Sequence, residues 1–261
     1  MPRLGTLFLI PNTLGDLDRP SQLPWVIPTE VLRQSSQIKY WIVENAKTAR
    51  AFLKAVDSYH PLVIPLQELH MSEWRGSKSS VNPSDLLRPL LDGHDIGLIS
   101  EAGLPAVADP GSEIVLAAHM MQAHVAPLTG PNSLMLALMG SGMNGQCFKF
   151  QGYLPIKAPD RMKALKELEN ESRKNNQTQL WIETPYRNPG MLSDCLEYFQ
   201  TNTQLCCACD LSLPSQIIMS LQVNHWRKTL SASPQFKEGP LANFASRPAV
   251  FLILANTTTK K

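Results

Sequence analysis

Residues 100–111 (SEAGLPAVADPG) are the stretch whose residue types are best suited to holding a ligand. Glycines and small side chains let a ligand approach the backbone closely, and prolines stiffen a loop before binding. The loop follows a short apolar run and leads to Ser112, which we expect to cap a helix whose free N–H groups favour an anion. The alternative is a connector that proline stiffens and that binds no ligand.

Three further segments place turn-forming or charged residues directly after apolar runs: residues 11–17 (PNTLGDL), 129–133 (TGPNS) and 183–187 (ETPYR). In an open parallel sheet, ligands bind outside the carboxyl ends of the strands, so we expect these segments to line one cleft. Residues 11–17 match neither GxGxxG nor a Walker A loop, and both nucleotide-binding fingerprints are missing. A plain tight turn is the alternative for that segment.

Alternating strands and helices must position these segments in the first half of the chain. Asn45 is a good N-cap for a helix with apolar residues at i, i+3, i+4 and i+7 from Ala49, and a second helix is predicted over residues 113–122. Residues 70–83 are polar and predict a surface loop. Short apolar runs predict strands at residues 7–10, 40–43, 62–64 and 96–99. This alternation indicates a mostly parallel sheet.

The second half has a higher predicted strand content, with two strands close together in sequence, which indicates a mixed sheet. Helices are predicted near residues 132–139 and over 160–173 and 189–199. The predicted strands lie at residues 149–152, 180–183, 205–209, 217–221 and 249–254. The fold class is therefore α/β with two lobes, residues 1–128 and residues 129–261.

Composition places the chain among ordinary globular proteins. Its 261 residues are 43% hydrophobic and 18% charged, and no apolar run is long enough to span a membrane. The N-terminal residues show no leader sequence, so we expect a cytoplasmic protein. A formal charge of +2 does not indicate a dedicated nucleic-acid binder. It is compatible with an enzyme that binds RNA through a local patch of its surface.

Three of the five cysteines lie in one apolar segment and are expected to be buried thiols rather than metal ligands. Cys206, Cys207 and Cys209 have neither the CxxC spacing of a zinc site nor the spacing of a disulfide framework. Cys207 and Cys209 would share one face of a strand, with Cys206 on the other. We therefore expect no bound metal.

Four motifs in order resemble those of the tetrapyrrole methylase superfamily, the class III S-adenosylmethionine-dependent methyltransferases. They are residues 100–111, 129–133, 150–157 (FQGYLPIK) and 182–187 (IETPYR). Within the superfamily they are most similar to the branch of ribosomal RNA small subunit methyltransferase I. The resemblance covers nearly the whole chain. It implies a homodimer of two-lobed chains, with S-adenosylmethionine in a cleft that the C-terminal lobe completes.

The resemblance also implies which residues contact the cofactor. Pro105 would flank its methionine part, and Pro248 would lie near its adenine. The full set of implied contacts is Leu14, Ser100, Glu101, Ala102, Pro105, Asn132, Ser133, Glu183, Leu211 and Pro248.

This sequence departs from the branch at several motif positions. Glu101 stands where the branch has aspartate, and residues 43–48 (VENAKT) lack the aspartate and arginine of its A-E-D-T-R-x-T motif. Residues 209–212 (CDLS) replace R-E-L-T, and residues 247–249 (RPA) replace K-G-E. Two arginines of the branch are therefore absent.

Catalysis needs mainly an in-line arrangement of acceptor and methyl group, because the sulfonium already makes the methyl group electrophilic. A hydroxyl acceptor would also benefit from a base and from a group that stabilises developing charge. Glu44 and Arg187, both at predicted strand ends, are our hypothesis for these roles. Alternatively, Glu44 supports the N-terminus of the following helix, and Arg187 pairs with Glu183 or Glu44.

Three functions stay open at the level of sequence. The first is methylation of RNA, with a ribose 2′-hydroxyl of ribosomal RNA as the acceptor. The second is methylation of a small tetrapyrrole-like molecule. The third is that of a degenerate cofactor-binding scaffold without catalysis. The absent arginines favour the last of these, and the complete loop at residues 100–111 opposes it.

Overall fold

The computed structural model describes residues 3–15, 19–76, 79, 81–232 and 244–255. The chain divides into two compact units, residues 1–132 and residues 133–261. The division lies a few residues after the predicted one between residues 128 and 129.

The first unit contains one five-stranded sheet in the order β3-β2-β4-β1-β5, and every strand pair in it is parallel. Its central strand is buried at every residue, as the continuous apolar sequence of a parallel strand requires. The elements are β1 (Thr6–Ile10), α1 (Arg19–Val26), α2 (Thr29–Ser36), β2 (Tyr40–Val43), α3 (Ala46–Asp57), a 3-10 turn (Leu66–Glu68), β3 (His70–Glu73), α4 (Pro83–Leu86), α5 (Arg88–Leu91), β4 (Ile96–Ile99), α6 (Ser112–Met120) and β5 (His124–Pro127).

The helix predicted after Asn45 forms as its pattern indicates. The Asn45 side chain accepts a hydrogen bond from the Lys47 backbone N–H at 2.9 Å, which caps α3. The apolar face of α3, including Phe52 and Leu53, is buried in one cluster with Trp41 of β2. Amphipathic periodicity and packing therefore agree for this helix.

The strand predicted at residues 62–64 is wrong, because the third strand of the sheet is β3. Leu62 and Ile64 are partly buried against the cluster that contains α3, so packing explains their apolar character without strand pairing. The true strand lies at the sheet edge with β2 as its one neighbour, and it is polar because it faces solvent. The predicted surface loop at 70–83 is accordingly wrong over its first residues, and Trp74 is buried.

The predicted capping role of Ser112 is also wrong. Helix α6 begins at Ser112 itself, and Gly111 occupies the capping position with φ 140° and no side-chain capping bond. A Cβ on Gly111 would lie 3.2 Å from Leu98 Cδ2, so both the backbone angle and the close packing require glycine. The helices α1, α2, α4 and α5 were not predicted from the sequence.

The second unit contains a mixed five-stranded sheet in the order β6-β7-β10-β8-β9, in which the pair β6–β7 alone is parallel. The prediction of a mostly parallel and a mixed sheet is confirmed. The elements are α7 (Ser133–Ser141), β6 (Phe148–Tyr153), α8 (Ala158–Asn175), β7 (Thr178–Glu183), a 3-10 turn (Pro185–Arg187), α9 (Asn188–Tyr198), β8 (Gln204–Cys209), β9 (Ile217–Gln222), α10 (Val223–Ala232), a 3-10 turn (Phe244–Ser246) and β10 (Ala249–Leu254).

The three clustered cysteines, Cys206, Cys207 and Cys209, are buried as predicted in this second unit, whereas Cys147 is half-buried. All five are free thiols, and Cys207 and Cys209 face the main core together with Cys195 while Cys206 points to the other side of β8. No group of potential metal ligands occurs among the described residues. Within the same residues, every helix is too short or too polar to cross a bilayer.

Candidate functional site

The carboxyl ends of three strands in the first unit lie side by side. Ile99 of β4 is paired with Ile10 of β1 on one side and with Val43 of β2 on the other. Residues 11–14, Glu44 and residues 100–103 therefore leave the sheet at the same edge, where open parallel sheets bind ligands.

Asn12 connects two of these segments. Its backbone N–H donates to Gly103 O at 2.8 Å, and its side-chain Nδ2 donates to Ser100 O at 3.1 Å and to Glu101 O at 2.9 Å. Asn12 is fully buried, so both hydrogens of its amide are used inside the protein. The sequence did not single out this residue, although an asparagine directly after a strand was the available signal.

The loop at 100–111 has an unusual backbone. Ala106 and Ala108 have φ angles of 64° and 63°, and Gly103 has a φ of 66°. Alanine in this left-handed region costs on the order of 1–3 kcal/mol, and such conformations cluster at functional sites. The backbone therefore supports a ligand-binding loop over a plain connector.

Glycines allow the neighbouring segments to pack closely. A Cβ on Gly130 would lie 2.1 Å from Pro11 Cβ, and one on Gly103 would lie 3.3 Å from Leu14 Cδ2. The turn at 129–132 is thus placed directly beside residues 11–14.

The predicted cofactor contacts of this unit gather at the same edge. Ser100 and Pro105 are buried, Leu14 and Asn132 are half-buried, and Glu101 and Ala102 are exposed. Ser133 is the first residue of α7 and belongs to the second unit.

The carboxylate of Glu44 lies near two carboxylates of the loop, those of Glu101 and Asp109. Glu44 Oε2 accepts a hydrogen bond from the Glu101 backbone N–H at 3.0 Å, and Glu101 Oε1 accepts one from Thr48 Oγ1 at 3.1 Å. Burial and the nearby negative charge of Glu44 raise the pKa of Asp109 to about 6, against the opposing effect of a hydrogen bond with Ser100. Sequence reasoning missed Asp109, because the approach of its carboxyl group to Glu44 depends on the fold of the loop.

The alternative role of Glu44 is filled by other residues. The first turn of α3 is satisfied by Asn45 and by Glu73 Oε1, which accepts from the Ala46 N–H at 3.1 Å. The Glu44 carboxylate points to Glu101 instead.

The predicted cofactor contacts of the second unit also share one sheet edge. Ala249 of β10 is paired with Glu183 of β7 and with Cys209 of β8. Because β10 runs antiparallel to both, Pro248 precedes it where β7 ends and where Leu211 follows β8. Glu183 and Leu211 are buried, and Pro248 is exposed.

An ion pair stabilises this edge. Arg247 Nη1 lies 3.4 Å from Asp210 Oδ2, which also accepts a hydrogen bond from Ser215 Oγ at 2.8 Å. The amide of Asn188 donates to Arg247 O at 2.6 Å. These contacts fix Asp210 and Arg247, the residues that directly precede Leu211 and Pro248, and Asp210 has a φ of 49°.

Arg187 contacts Glu183, which is the alternative arrangement considered from sequence. Its Nη2 lies 3.0 Å from Glu183 Oε2, and the Glu183 side chain is completely buried. The same Nη2 donates to Leu154 O at 3.1 Å. These contacts favour a structural role for Arg187.

No family model matches the chain. Proteins named ribosomal RNA small subunit methyltransferase I are similar to it in sequence. The protein from Halalkalibacterium halodurans is 30% identical over 192 residues, which are 74% of this chain and 60% of that protein. The one from Pseudomonas aeruginosa is 28% identical over 83% of this chain and 70% of its own length, and the one from Micromonospora olivasterospora is 33% identical over 73% and 54%. The chain thus spans between about half and 70% of these relatives.

A solved structure shares the fold. The uroporphyrin-III C-methyltransferase from Thermus thermophilus superposes with a TM-score of 0.50 and 15% sequence identity, over 96% of this chain and 94% of that one. The resemblance predicted from the four motifs is confirmed by both comparisons. The chain is therefore homologous to the proteins named ribosomal RNA small subunit methyltransferase I, and it has the fold of a tetrapyrrole methyltransferase.

Proposed function

We propose that the chain is an S-adenosylmethionine-dependent methyltransferase that acts on ribosomal RNA, with a ribose 2′-hydroxyl as the acceptor. The observation that carries this proposal is the alignment, over about three quarters of the chain, with proteins named for methylation of ribosomal RNA. The tetrapyrrole methyltransferase shares the fold alone at 15% identity, so it does not favour a small tetrapyrrole-like acceptor.

The residues of the first unit fit this cofactor. S-adenosylmethionine carries positive charge on its sulfonium and its amino group. The carboxylates of Glu44, Glu101 and Asp109 supply complementary negative charge beside a loop that small residues leave open. We propose Leu14, Ser100, Ala102, Pro105 and Asn132 as further contacts in this unit. Ser133, Glu183, Leu211 and Pro248 stay predicted contacts.

Bound S-adenosylmethionine supplies an electrophilic methyl group on a sulfonium. The protein must then orient the acceptor and take up its proton. Glu44 is suited to the second task, because a carboxylate with one hydrogen bond from Glu101 retains further acceptor positions. Asp109 lies close enough to Glu44 for the negative charge of Glu44 to raise the pKa of the Asp109 carboxyl group.

The contacts of Arg187 assign it a supporting task in this proposal. Its guanidinium pairs with buried Glu183 and donates to the carbonyl group of Leu154. It therefore fixes the end of β7 rather than stabilising charge on the acceptor.

The proposal is tested first by calorimetry with S-adenosylmethionine and S-adenosylhomocysteine, and then by transfer of labelled methyl groups. Small ribosomal subunits from a strain without the homologous enzyme, bulk RNA and tetrapyrrole precursors are the three acceptors to compare. We expect micromolar cofactor binding and labelling of the ribosomal RNA. Labelling of the tetrapyrroles alone would contradict the RNA acceptor, and absence of cofactor binding at millimolar concentration would favour a scaffold without catalysis.

We also propose a homodimer in the cytoplasm, on the basis of the family resemblance. Light scattering coupled to gel filtration tests the dimer, and a single-chain mass at micromolar concentration would contradict it.

A further inference from the structure

Helix α3 presents a row of basic side chains to solvent. Lys47, Arg50 and Lys54 are exposed and are separated by three and four residues, so they lie on one face of the helix. The opposite face, which includes Phe52 and Leu53, is buried in the core of the first unit. The rise of an α-helix spreads the three cations over about 10 Å along its axis. These three residues form the α3 basic row.

The α3 basic row begins beside the candidate site. The first turn of α3 contacts the loop at 100–111 through a hydrogen bond from Thr48 Oγ1 to Glu101 Oε1 at 3.1 Å. Lys47 belongs to this turn, and the other two cations follow in the next turns, farther from the sheet edge at which the loop begins. A polymer that crosses the candidate site can therefore continue along the row.

Helix stability does not account for the cation at the start of the row. The N-terminus of a helix carries partial positive charge, so a lysine in the first turn is unfavourable there. The first turn of α3 has no acidic residue to offset Lys47, and the side chain of Asn45 caps it. Lys54 lies in the last turn, where a cation is favourable. Binding of an anion outside the helix is a better explanation for Lys47.

Neighbouring carboxylates leave the row positively charged. Glu73 on β3 lies near Arg50 but is already paired with Arg75, whose Nη2 lies 2.9 Å from Glu73 Oε2. On the neighbouring helix α2, Arg33 and Glu30 are paired with each other. Within the part of the chain that the structure describes, none of the three cations of the row forms an ion pair. Their charge is therefore available to a ligand.

The shape of the row favours a linear polyanion. Its three cations are spread along the helix axis instead of gathered around one point, and lysine binds phosphate as a point charge. Ala51, which is also exposed on this face, is small and offers little apolar surface to a membrane or to an apolar protein partner. The Asp57 carboxylate, which accepts a hydrogen bond from the Leu62 N–H at 2.9 Å, ends the row. The row therefore has room for about three phosphate contacts, one for each cation.

We propose that the α3 basic row binds the phosphate backbone of the RNA substrate, on one side of the nucleotide that is methylated. The inference rests on the proposed function, because the row serves methyl transfer only if the acceptor belongs to a polynucleotide. Each cation neutralises a phosphate and releases condensed counterions, so this binding depends on salt concentration and not on base sequence. The row positions the RNA and reads no base.

Fluorescence anisotropy with a short labelled single-stranded RNA at a series of KCl concentrations tests the proposal. The α3 variant combines Lys47→Gln, Arg50→Gln and Lys54→Gln. The control variant removes the same charge from three exposed lysines of α8 by combining Lys163→Gln, Lys166→Gln and Lys174→Gln. Glutamine is a good helix former, so both variants should fold like the wild type, which circular dichroism checks.

The α3 variant should bind the RNA about ten-fold more weakly at low salt. The slope of log K against log [KCl] should become shallower by about 2, since three phosphate contacts of about 0.7 each are lost. The control variant should keep the wild-type affinity and slope. The α3 variant should also raise KM for small ribosomal subunits, while calorimetry with S-adenosylmethionine gives the wild-type affinity.

Unchanged RNA affinity and salt slope in the α3 variant overturn the row while leaving the proposed function intact. An equal loss in the control variant also overturns it, because total charge and not position would then explain the effect. If wild type binds RNA through the row but transfers no methyl group to it, the proposed function fails and the row stands. Wild type that binds vesicles containing phosphatidylserine but no RNA overturns both, in favour of a membrane surface.

Discussion

The backbone N–H of Glu101 donates to the carboxylate of Glu44 over 3.0 Å, and this contact joins the segments that follow β2 and β4. Glu44 thereby faces the loop at 100–111 instead of the helix that follows it in sequence. If it is the base for a hydroxyl acceptor, the contact holds the carboxylate in position for proton uptake.

Glu44→Gln should lower kcat for methyl transfer by roughly 10²- to 10⁴-fold, since an amide accepts no proton. The measurement is single-turnover transfer of labelled methyl groups as a function of pH. Glu73→Gln is the matched control, because that carboxylate lies on the neighbouring strand and contacts the Ala46 N–H. Near-normal turnover of Glu44→Gln would contradict the assignment of Glu44 as the base.

Asp109 should make stability fall as pH rises through the acidic range. Its folded pKa of about 6 is above the roughly 3.9 of an unfolded aspartate, so ionisation costs more in the folded state. The penalty is absent below about pH 4, grows between pH 4 and 6 and is complete above that range. Asp109→Asn removes it and should raise the free energy of unfolding by about 1 kcal/mol at pH 7.5, after solvent screening of this half-buried group.

Urea denaturation of wild type and Asp109→Asn at several pH values between 4 and 7.5 checks this gain. As a control, Glu44→Gln should lower the pKa of Asp109, measured by NMR, because it removes the neighbouring negative charge. A wild-type Asp109 that titrates near pH 4 would contradict the prediction.

Arg187→Ala should unfold at a much lower urea concentration than wild type. The change leaves Glu183 completely buried without its counter-charge, which costs about 3–5 kcal/mol. Arg33→Ala is the matched control, since Arg33 and its partner Glu30 are both more than half exposed and the change should be close to neutral. A stable Arg187→Ala protein that has lost only turnover would instead favour a direct catalytic role.

Gly130→Ala should destabilise the protein because the added methyl group meets Pro11. Its Cβ would lie 2.1 Å from Pro11 Cβ, and the backbone must shift to relieve the overlap at a cost of roughly 1–3 kcal/mol. Gly145→Ala is the control, because nothing lies within 4 Å of its Cβ and its φ is not in the left-handed region. Chemical denaturation measures both variants, and equal stability would show that the two turns are not in contact.

The buried thiols should resist modification in the folded protein. Burial raises the pKa of Cys206 and of Cys209 to about 12, and it also raises the pKa values of the Cys195 and Cys207 thiols well above their usual range. The thiolate is the reactive form, so a disulfide reagent such as DTNB should label half-buried Cys147 first. The absorbance change should correspond to about one thiol before unfolding and to all five after it. Rapid labelling of several thiols in the native protein would contradict the packing of β8.

Local patterns in the sequence were sufficient for much of the fold. The helix after Asn45 and the buried strands β2 and β4 follow from short runs whose periodicity matches the surface that they bury. The edge strand β3 was not predictable in this way, because a strand with one neighbour and an exposed face has no apolar pattern. Its pairing with β2 is decided by residues 30 positions away in the chain.

For the candidate site too, some features were predictable from the sequence and others depended on the fold. The sequence by itself determined the order of four motifs and thereby the resemblance to the tetrapyrrole methylase superfamily, since glycine, proline and charged residues at fixed spacing are local features. Only the tertiary structure decided that the Asp109 carboxyl group lies near Glu44 and that Arg187 forms an ion pair with buried Glu183. The physical reason is that charge, burial and hydrogen-bond satisfaction depend on neighbours distant in sequence, which the folding of each unit brings together.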